Sequence, residues 1–168
     1  MIHVCSLARL HATVEETGAR HIVTLMNDET AVLRPDCVAV EDHLLLGMHD
    51  ITFELEGYRA PADEHVHRLI EFVTRWHRLT PLVMHCYAGI SRSTAGAYIT
   101  ACALNPRRDE DVIARAIRGA SPSAFPNIRL VTLADKILGR NGRMISAIEA
   151  IGRGVESFEG HPFRLDLE

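Results

Sequence analysis

Short apolar runs alternate with stretches in which apolar residues recur every three or four positions, the pattern of strands interleaved with helices. Ile2 to Leu7 reads as a strand. Leu7, Leu10 and Val14 fall at helical spacing up to Gly18, a good helix stop, and His21 to Met26 is a second β-rich run. After a polar stretch from Asn27 to Arg34, Cys37–Val40 and Leu44–Met48 predict two more short strands, joined through Glu41, Asp42 and His43. Asp50 lies just beyond them.

From Asp63 to Leu79 the residues Val66, Leu69, Ile70, Val73 and Trp76 share one face of an amphipathic helix, which Pro81 ends. Leu82, Val83 and Met84 then predict a buried strand running into His85 and Cys86, and the Ala-rich stretch from Arg92 to Ala103 predicts a helix. Three further helices follow. Asn105 and Pro106 open one, with Asp109, Glu110 and Asp111 at its positive end, a stripe of Val112, Ile113, Ala116 and Ile117, and Gly119 as stop. Asn127 caps the next, which carries Leu130, Leu133, Ala134 and Ile137 and stops at Gly139. Met144, Ile145, Ile148 and Ile151 mark the last. There is no internal repeat, low-complexity tract or linker. The expectation is one α/β domain over residues 1–155, with a central, mostly parallel sheet of four to five strands flanked by helices, and a polar tail over 156–168.

Composition narrows the classes. With 168 residues, 47% hydrophobic and 24% charged, the chain is neither disordered nor fibrous. A formal net charge of −4 gives no electrostatic reason to expect nucleic acid or an anionic lipid surface as partner. No apolar window is long enough for a membrane span, and charged residues interrupt the first twenty positions, so a cytoplasmic protein is expected. Four widely spaced cysteines (Cys5, Cys37, Cys86, Cys102) indicate neither a disulfide scaffold nor a zinc site. His65 and His67 stand two apart on a helix and cannot chelate together, and His43 and His49 lack a third ligand, so no metal and no cofactor is expected. Arginine outnumbers lysine 17 to 1, a bias to which the sequence attaches no function. It carries no signal of oligomeric state either.

The chemistry is concentrated in His85-Cys86-Tyr87-Ala88-Gly89-Ile90-Ser91-Arg92-Ser93, at a strand-to-helix junction. A loop of five residues between cysteine and arginine can curl so that the amides of Tyr87, Ala88, Gly89, Ile90, Ser91 and Arg92 face one concavity. The following helix adds its positive end, which suits a tetrahedral dianion such as phosphate. Gly89 supplies conformational freedom, and the Arg92 guanidinium can hold two phosphate oxygens at once. The same surroundings favour thiolate over thiol at Cys86, a ready nucleophile. Attack on phosphorus would give a phosphocysteine, and the departing oxygen would need a proton. Asp50 is the candidate acid; Asp63 is the alternative, better placed as a first-turn helix residue.

The motif His-Cys-x-Ala-Gly-x-Ser-Arg-Ser resembles the signature loop of the cysteine-dependent protein tyrosine phosphatases, most closely the dual-specificity branch. Chain length, the central cysteine, the upstream aspartate and Pro126-Asn127 opening a helix resemble that family too. The resemblance implies Cys86 as nucleophile, Arg92 and the loop amides as phosphate cradle, and Asp50 as general acid. It implies Ser93 as a hydroxyl that helps the thiolate leave, His85 as a residue orienting the loop, and Asn127 as a support behind it. The implied substrates are phosphorylated proteins, carrying phosphotyrosine and also phosphoserine or phosphothreonine. The competing readings are a non-catalytic phosphoprotein-binding module, a phosphoinositide phosphatase, a sulfurtransferase, and an arsenate reductase using Cys37 or Cys102. Tyr87, Ala88, Ile90 and Ser91 include no lysine that would meet additional phosphates, which favours a phosphoprotein over an inositol lipid.

Overall fold

The computed structural model describes residues 1–167. Five strands form one sheet in the order β3-β2-β4-β1-β5: β1 (Ile2–Ser6), β2 (His21–Met26), β3 (His43–Gly47), β4 (Leu82–Cys86) and β5 (Phe163–Leu165). The first four are parallel, and β5 runs antiparallel along β1, pairing Ile2 with Leu165 and Val4 with Phe163. The sheet is mixed and mostly parallel, as expected for alternating strands and helices. Every residue of β2 and β4 is buried, the signature of interior strands covered on both faces.

The faces are covered unequally. α1 (Leu10–Thr17) packs Leu10 and Val14 with Cys5, Ile22 and Val83 on one side. On the other lie α2 (Asp63–Arg75), α3 (Arg92–Leu104), α4 (Glu110–Ala120), α5 (Ile128–Ile137) and α6 (Arg143–Ile151), around the main core. α3 is buried from Arg92 to Cys102 and is the axis of that layer. Its Ala and Gly residues allow it close to the sheet: a Cβ on Gly96 would lie 3.1 Å from the Met84 sulfur.

Most expected punctuation appears, and four places differ. Gly18 ends α1 and Gly139 follows α5, both at positive φ, while Asn127 caps α5 by accepting from the Leu130 N–H at 3.1 Å. Residues 37–40 are not a strand. Val38 N–H closes a turn on the Pro35 carbonyl, Arg34 donates to the Val38 carbonyl, and a short 3-10 turn over Val40–Asp42 leads into β3. α2 stops at Arg75, because the Trp76 indole donates to the Thr80 carbonyl at 3.0 Å and folds the chain back. α4 starts at Glu110 with Asp109 as its cap; Asn105 instead closes α3, its amide donating to the Ala101 carbonyl at 3.0 Å. Gly119 lies inside α4, which Ser121 ends.

α3, α4 and the turn before α6 are joined by a buried ion cluster. Arg140 donates to the Glu110 carboxylate at 2.7 Å and to the Cys102 carbonyl at 2.6 Å, and Arg143 approaches the same carboxylate at 3.2 Å. Burial alone would raise the Glu110 pKa, but the hydrogen bonds from Arg143 and Arg140 outweigh it and hold the carboxyl below its ordinary value.

Candidate functional site

β4 is the central strand, and its C-terminal end is where a parallel sheet presents ligand-binding loops. Cys86 is the last residue of β4 and Arg92 the first of α3, so the five intervening residues make the strand-to-helix turn. Gly89 sits at φ 72°, and a Cβ there would lie 2.8 Å from the backbone of Cys5 and Ser6 in β1. Both conformation and space demand glycine.

The loop carbonyls are engaged on its outer side, each by a different part of the chain. Leu7 N–H donates to the Tyr87 carbonyl at 3.1 Å, Gly160 N–H to Ala88 at 2.9 Å, Phe125 N–H to Ile90 at 2.9 Å and Asn127 N–H to Ser91 at 3.3 Å. A trans peptide sends its C=O and N–H in opposite directions, and the chain contains no cis peptide among its described residues. Turning these carbonyls outward therefore turns the amides of Ala88, Gly89, Ser91 and Arg92 inward. At Gly89 this is visible directly: its N–H reaches the Cys86 sulfur at 3.3 Å. For these four of the six loop amides the inward orientation has a structural cause outside the loop.

Around the sulfur the polar groups converge. Ser93 Oγ lies 3.1 Å from Cys86 Sγ, and both residues are buried. Arg92 is held by the Met48 carbonyl, which accepts from its guanidinium at 2.9 Å; its buried Nε–H has no hydrogen-bond partner. That unpartnered donor lies 3.9 Å from Asp50 Oδ2, too long for a hydrogen bond.

Asp50 comes from the segment after β3, yet it reaches the loop. Its Oδ1 accepts from Ser91 Oγ at 2.7 Å and from Asn127 Nδ2 at 2.8 Å. The structure therefore brings Asp50, Ser91, Arg92 and Asn127 into one cluster. Asp63, the alternative acid, opens α2.

His85 is fully buried on β4, and its Nε2 lies 2.7 Å from Thr24 Oγ1 on β2. The same hydroxyl lies 2.8 Å from His43 Nε2. One hydroxyl proton cannot serve both rings, so at least one ring donates to the hydroxyl oxygen. Burial pushes the His85 pKa down to about 4, against a weaker opposing effect of the Cys86 backbone, and burial lowers that of His43 as well. A neutral His85 therefore braces β4 directly before the thiol.

Several of these parts carry no motif of their own. Thr24, His43, Met48, Leu7, Phe125 and Gly160 act through main-chain groups or from adjacent strands, and Ser91 contributes its side chain as well as its amide. Among the described residues, no group of three or more His, Cys, Asp or Glu side chains could hold a metal ion. No helix among them is long and apolar enough to cross a membrane.

No protein-family model matches the chain, and no curated protein matches it. Solved structures do. DUSP15 superposes with a TM-score of 0.66 at 16% identity, covering 89% of this chain and 90% of that one. The PTP-2 phosphatase of Cydia pomonella gives 0.63 at 20% identity, covering 80% and 84%. PTPMT1, solved also in complex with PI(5)P, gives 0.61 at 15% identity, covering 90% and 96%. The fold is that of the dual-specificity and related tyrosine phosphatases.

Proposed function

We propose that the protein is a cysteine-dependent phosphatase that hydrolyses phosphomonoesters in phosphorylated proteins, on phosphotyrosine and also on phosphoserine or phosphothreonine. The observation that carries this reading is the meeting of Asp50 with the Cys86–Arg92 loop, from a separate segment of the chain. A phosphate-binding loop needs no such carboxylate, whose charge opposes anion binding. A phosphoryl-transfer site needs one to protonate the leaving oxygen.

In this mechanism the substrate phosphate lies in the amide nest, with Arg92 on its oxygens. The Cys86 thiolate attacks phosphorus, the S–P bond forms as the P–O bond to the substrate breaks, and the leaving oxygen takes its proton from the Asp50 carboxyl. The resulting carboxylate then accepts a proton from water, whose oxygen attacks phosphorus. The S–P bond breaks, inorganic phosphate leaves, and the hydroxyl of Ser93 hydrogen-bonds the departing thiolate. Removing Arg92 would leave developing charge uncompensated.

The surrounding arginines favour a substrate with a single phosphate. Arg129, two residues past Asn127, is paired with Glu54 and the Pro61 carbonyl. Arg153, in the cleft beside Ile90, lies 3.5 Å from Glu156 and packs on the Phe125 ring. The pairing of Arg129, and the absence of lysine among Tyr87, Ala88, Ile90 and Ser91, support a phosphoprotein over a polyphosphorylated inositol lipid.

The test is hydrolysis of p-nitrophenyl phosphate in EDTA by wild type, Cys86→Ser and Asp50→Ala. The expected result is turnover by wild type, none by Cys86→Ser, and a loss of about a hundredfold in Asp50→Ala. Inert wild type that still binds tungstate would favour a phosphate-binding module; undiminished Asp50→Ala would move the acid elsewhere.

A further inference from the structure

The segment after α6 does not leave the domain. Val155 N–H donates to the Pro122 carbonyl at 2.9 Å, and the Glu159 carboxylate accepts from Ser6 Oγ at 2.5 Å. Gly160 N–H donates to the Ala88 carbonyl at 2.9 Å, and β5 then adds to the sheet beside β1. Residues 155–165 thus form a strap across the outer side of the phosphate loop, anchored on both sides of Gly160.

The contact at Gly160 has a partner on the far side of the same peptide plane. Its N–H holds the Ala88 oxygen, and the peptide linking Ala88 to Gly89 is planar, so the Gly89 N–H points the opposite way, to Cys86 Sγ at 3.3 Å. One rigid unit therefore links strap to nucleophile. Space at Gly160 is equally tight: a Cβ there would lie 2.8 Å from the Gly89 oxygen and 3.4 Å from Ile90 Cγ1. A side chain would have to displace the loop or the strap.

We propose that Gly160 is a positioning residue of the phosphate site, and that the strap fixes the Ala88–Gly89 peptide so that its amide faces the sulfur and the bound oxyanion. This rests on the reading of the loop as the phosphate site. It makes the strap part of the binding machinery. Coupling between two sites is reciprocal: if strap contact strengthens oxyanion binding, oxyanion binding strengthens strap contact.

The test compares full-length wild type with Gly160→Ala, and with Gly119→Ala as a control whose added Cβ meets open space. Tungstate affinity is measured by calorimetry, and KM and kcat with p-nitrophenyl phosphate. Gly160→Ala is expected to weaken tungstate about tenfold and to raise KM by a similar factor, as expected for a misdirected charge-assisted hydrogen bond. The strain at Gly160 is read separately as a lowered melting temperature, while Gly119→Ala, inside α4, should match wild type in tungstate affinity, KM and kcat and melt no lower than wild type. In wild type, saturating tungstate should slow hydrogen exchange of the Gly160 amide by a comparable factor. This second measurement decides the matter if Gly160→Ala fails to fold. Tungstate affinity within twofold of wild type in a folded Gly160→Ala, or a Gly160 amide indifferent to tungstate, overturns the proposal. Wild type that binds tungstate but hydrolyses nothing would defeat the phosphatase reading and leave the strap open to the same test.

Discussion

Asn127 Nδ2 donates to Asp50 Oδ1 across 2.8 Å, while the Oδ1 of the same amide accepts the Leu130 N–H and caps α5. An asparagine can do both because its amide carries a donor and an acceptor. Aspartate offers acceptors alone.

Asn127→Asp is therefore expected to keep the helix cap and lose the hold on Asp50. The cap itself should survive, because aspartate is as good an N-cap as asparagine, but a second carboxylate against the first at this buried position should lower the melting temperature at pH 7 more than at pH 5, and kcat on p-nitrophenyl phosphate should fall about tenfold or more. A steady-state assay beside a thermal melt checks this. Equal activity would show that the Asn127 contact serves the helix alone.

Gly89→Ala combines positive φ with a Cβ 2.8 Å from the β1 backbone. Displacement of the loop by a fraction of an ångström to 1 Å is the expected relief, and misplacement of that size costs about a hundredfold in rate. The expected outcome is a folded protein with at least that loss in kcat/KM and weakened tungstate binding, measured by kinetics and calorimetry.

His85 controls an acid limb of stability. Its pKa is about 4 in the fold, pushed down chiefly by burial, against an ordinary value of 6.5. Between these values the unfolded chain binds the proton and the folded one does not. The contribution is whole above about pH 6.5 and is lost as pH falls towards 4, by about 3 kcal/mol. Burial lowers His21, His43 and His65 in the same sense. His85→Asn should flatten this limb, an effect read from denaturant unfolding at pH 7 and pH 4.5. An unchanged slope would place the titration elsewhere.

Glu110→Ala should separate stability from chemistry. It leaves Arg140, itself 5% exposed, without its buried counter-charge, and breaking such a pair costs about 3–5 kcal/mol. The melting temperature should drop sharply, while activity per folded molecule at low temperature stays near wild type.

What the sequence reveals here follows from how local each cause is. The loop from His85 to Ser93 is contiguous, so its strand, turn glycine, thiol and guanidinium are readable together. The reach of Asp50 depends on where a coil segment travels, and its geometry on Ser91 and Asn127, which meet it only in three dimensions. Asn127 reads as a helix cap on local grounds and as a support on resemblance alone, and its bond to Asp50 joins segments far apart in the sequence. Residues 37–40 look apolar enough for a strand, yet Pro35 and Arg34 satisfy their backbone as turns instead. The tail is polar by composition, but Phe163, Leu165 and Leu167 are buried, too short a run to announce β5. The arginine bias gains a structural account: Arg92, Arg118, Arg129 and Arg140 each hold main-chain carbonyls. For Arg118 one guanidinium serves carbonyls from separate segments, Ala124 and Ile151, which its fork of donors permits and an ammonium does less well.

Attack of Cys86 on phosphorus would leave a covalent phosphocysteine, and capture of that intermediate tests the step itself. Ser93→Ala, lacking the hydroxyl 3.1 Å from the sulfur, should slow the second step more than the first. Rapid mixing with a radiolabelled phosphotyrosyl peptide, followed by a denaturing quench and peptide mapping, should then find phosphate on the Cys86 peptide at near-stoichiometric level, and none in Cys86→Ser. Turnover that persists in Cys86→Ser, or label carried by any other residue, would contradict the account.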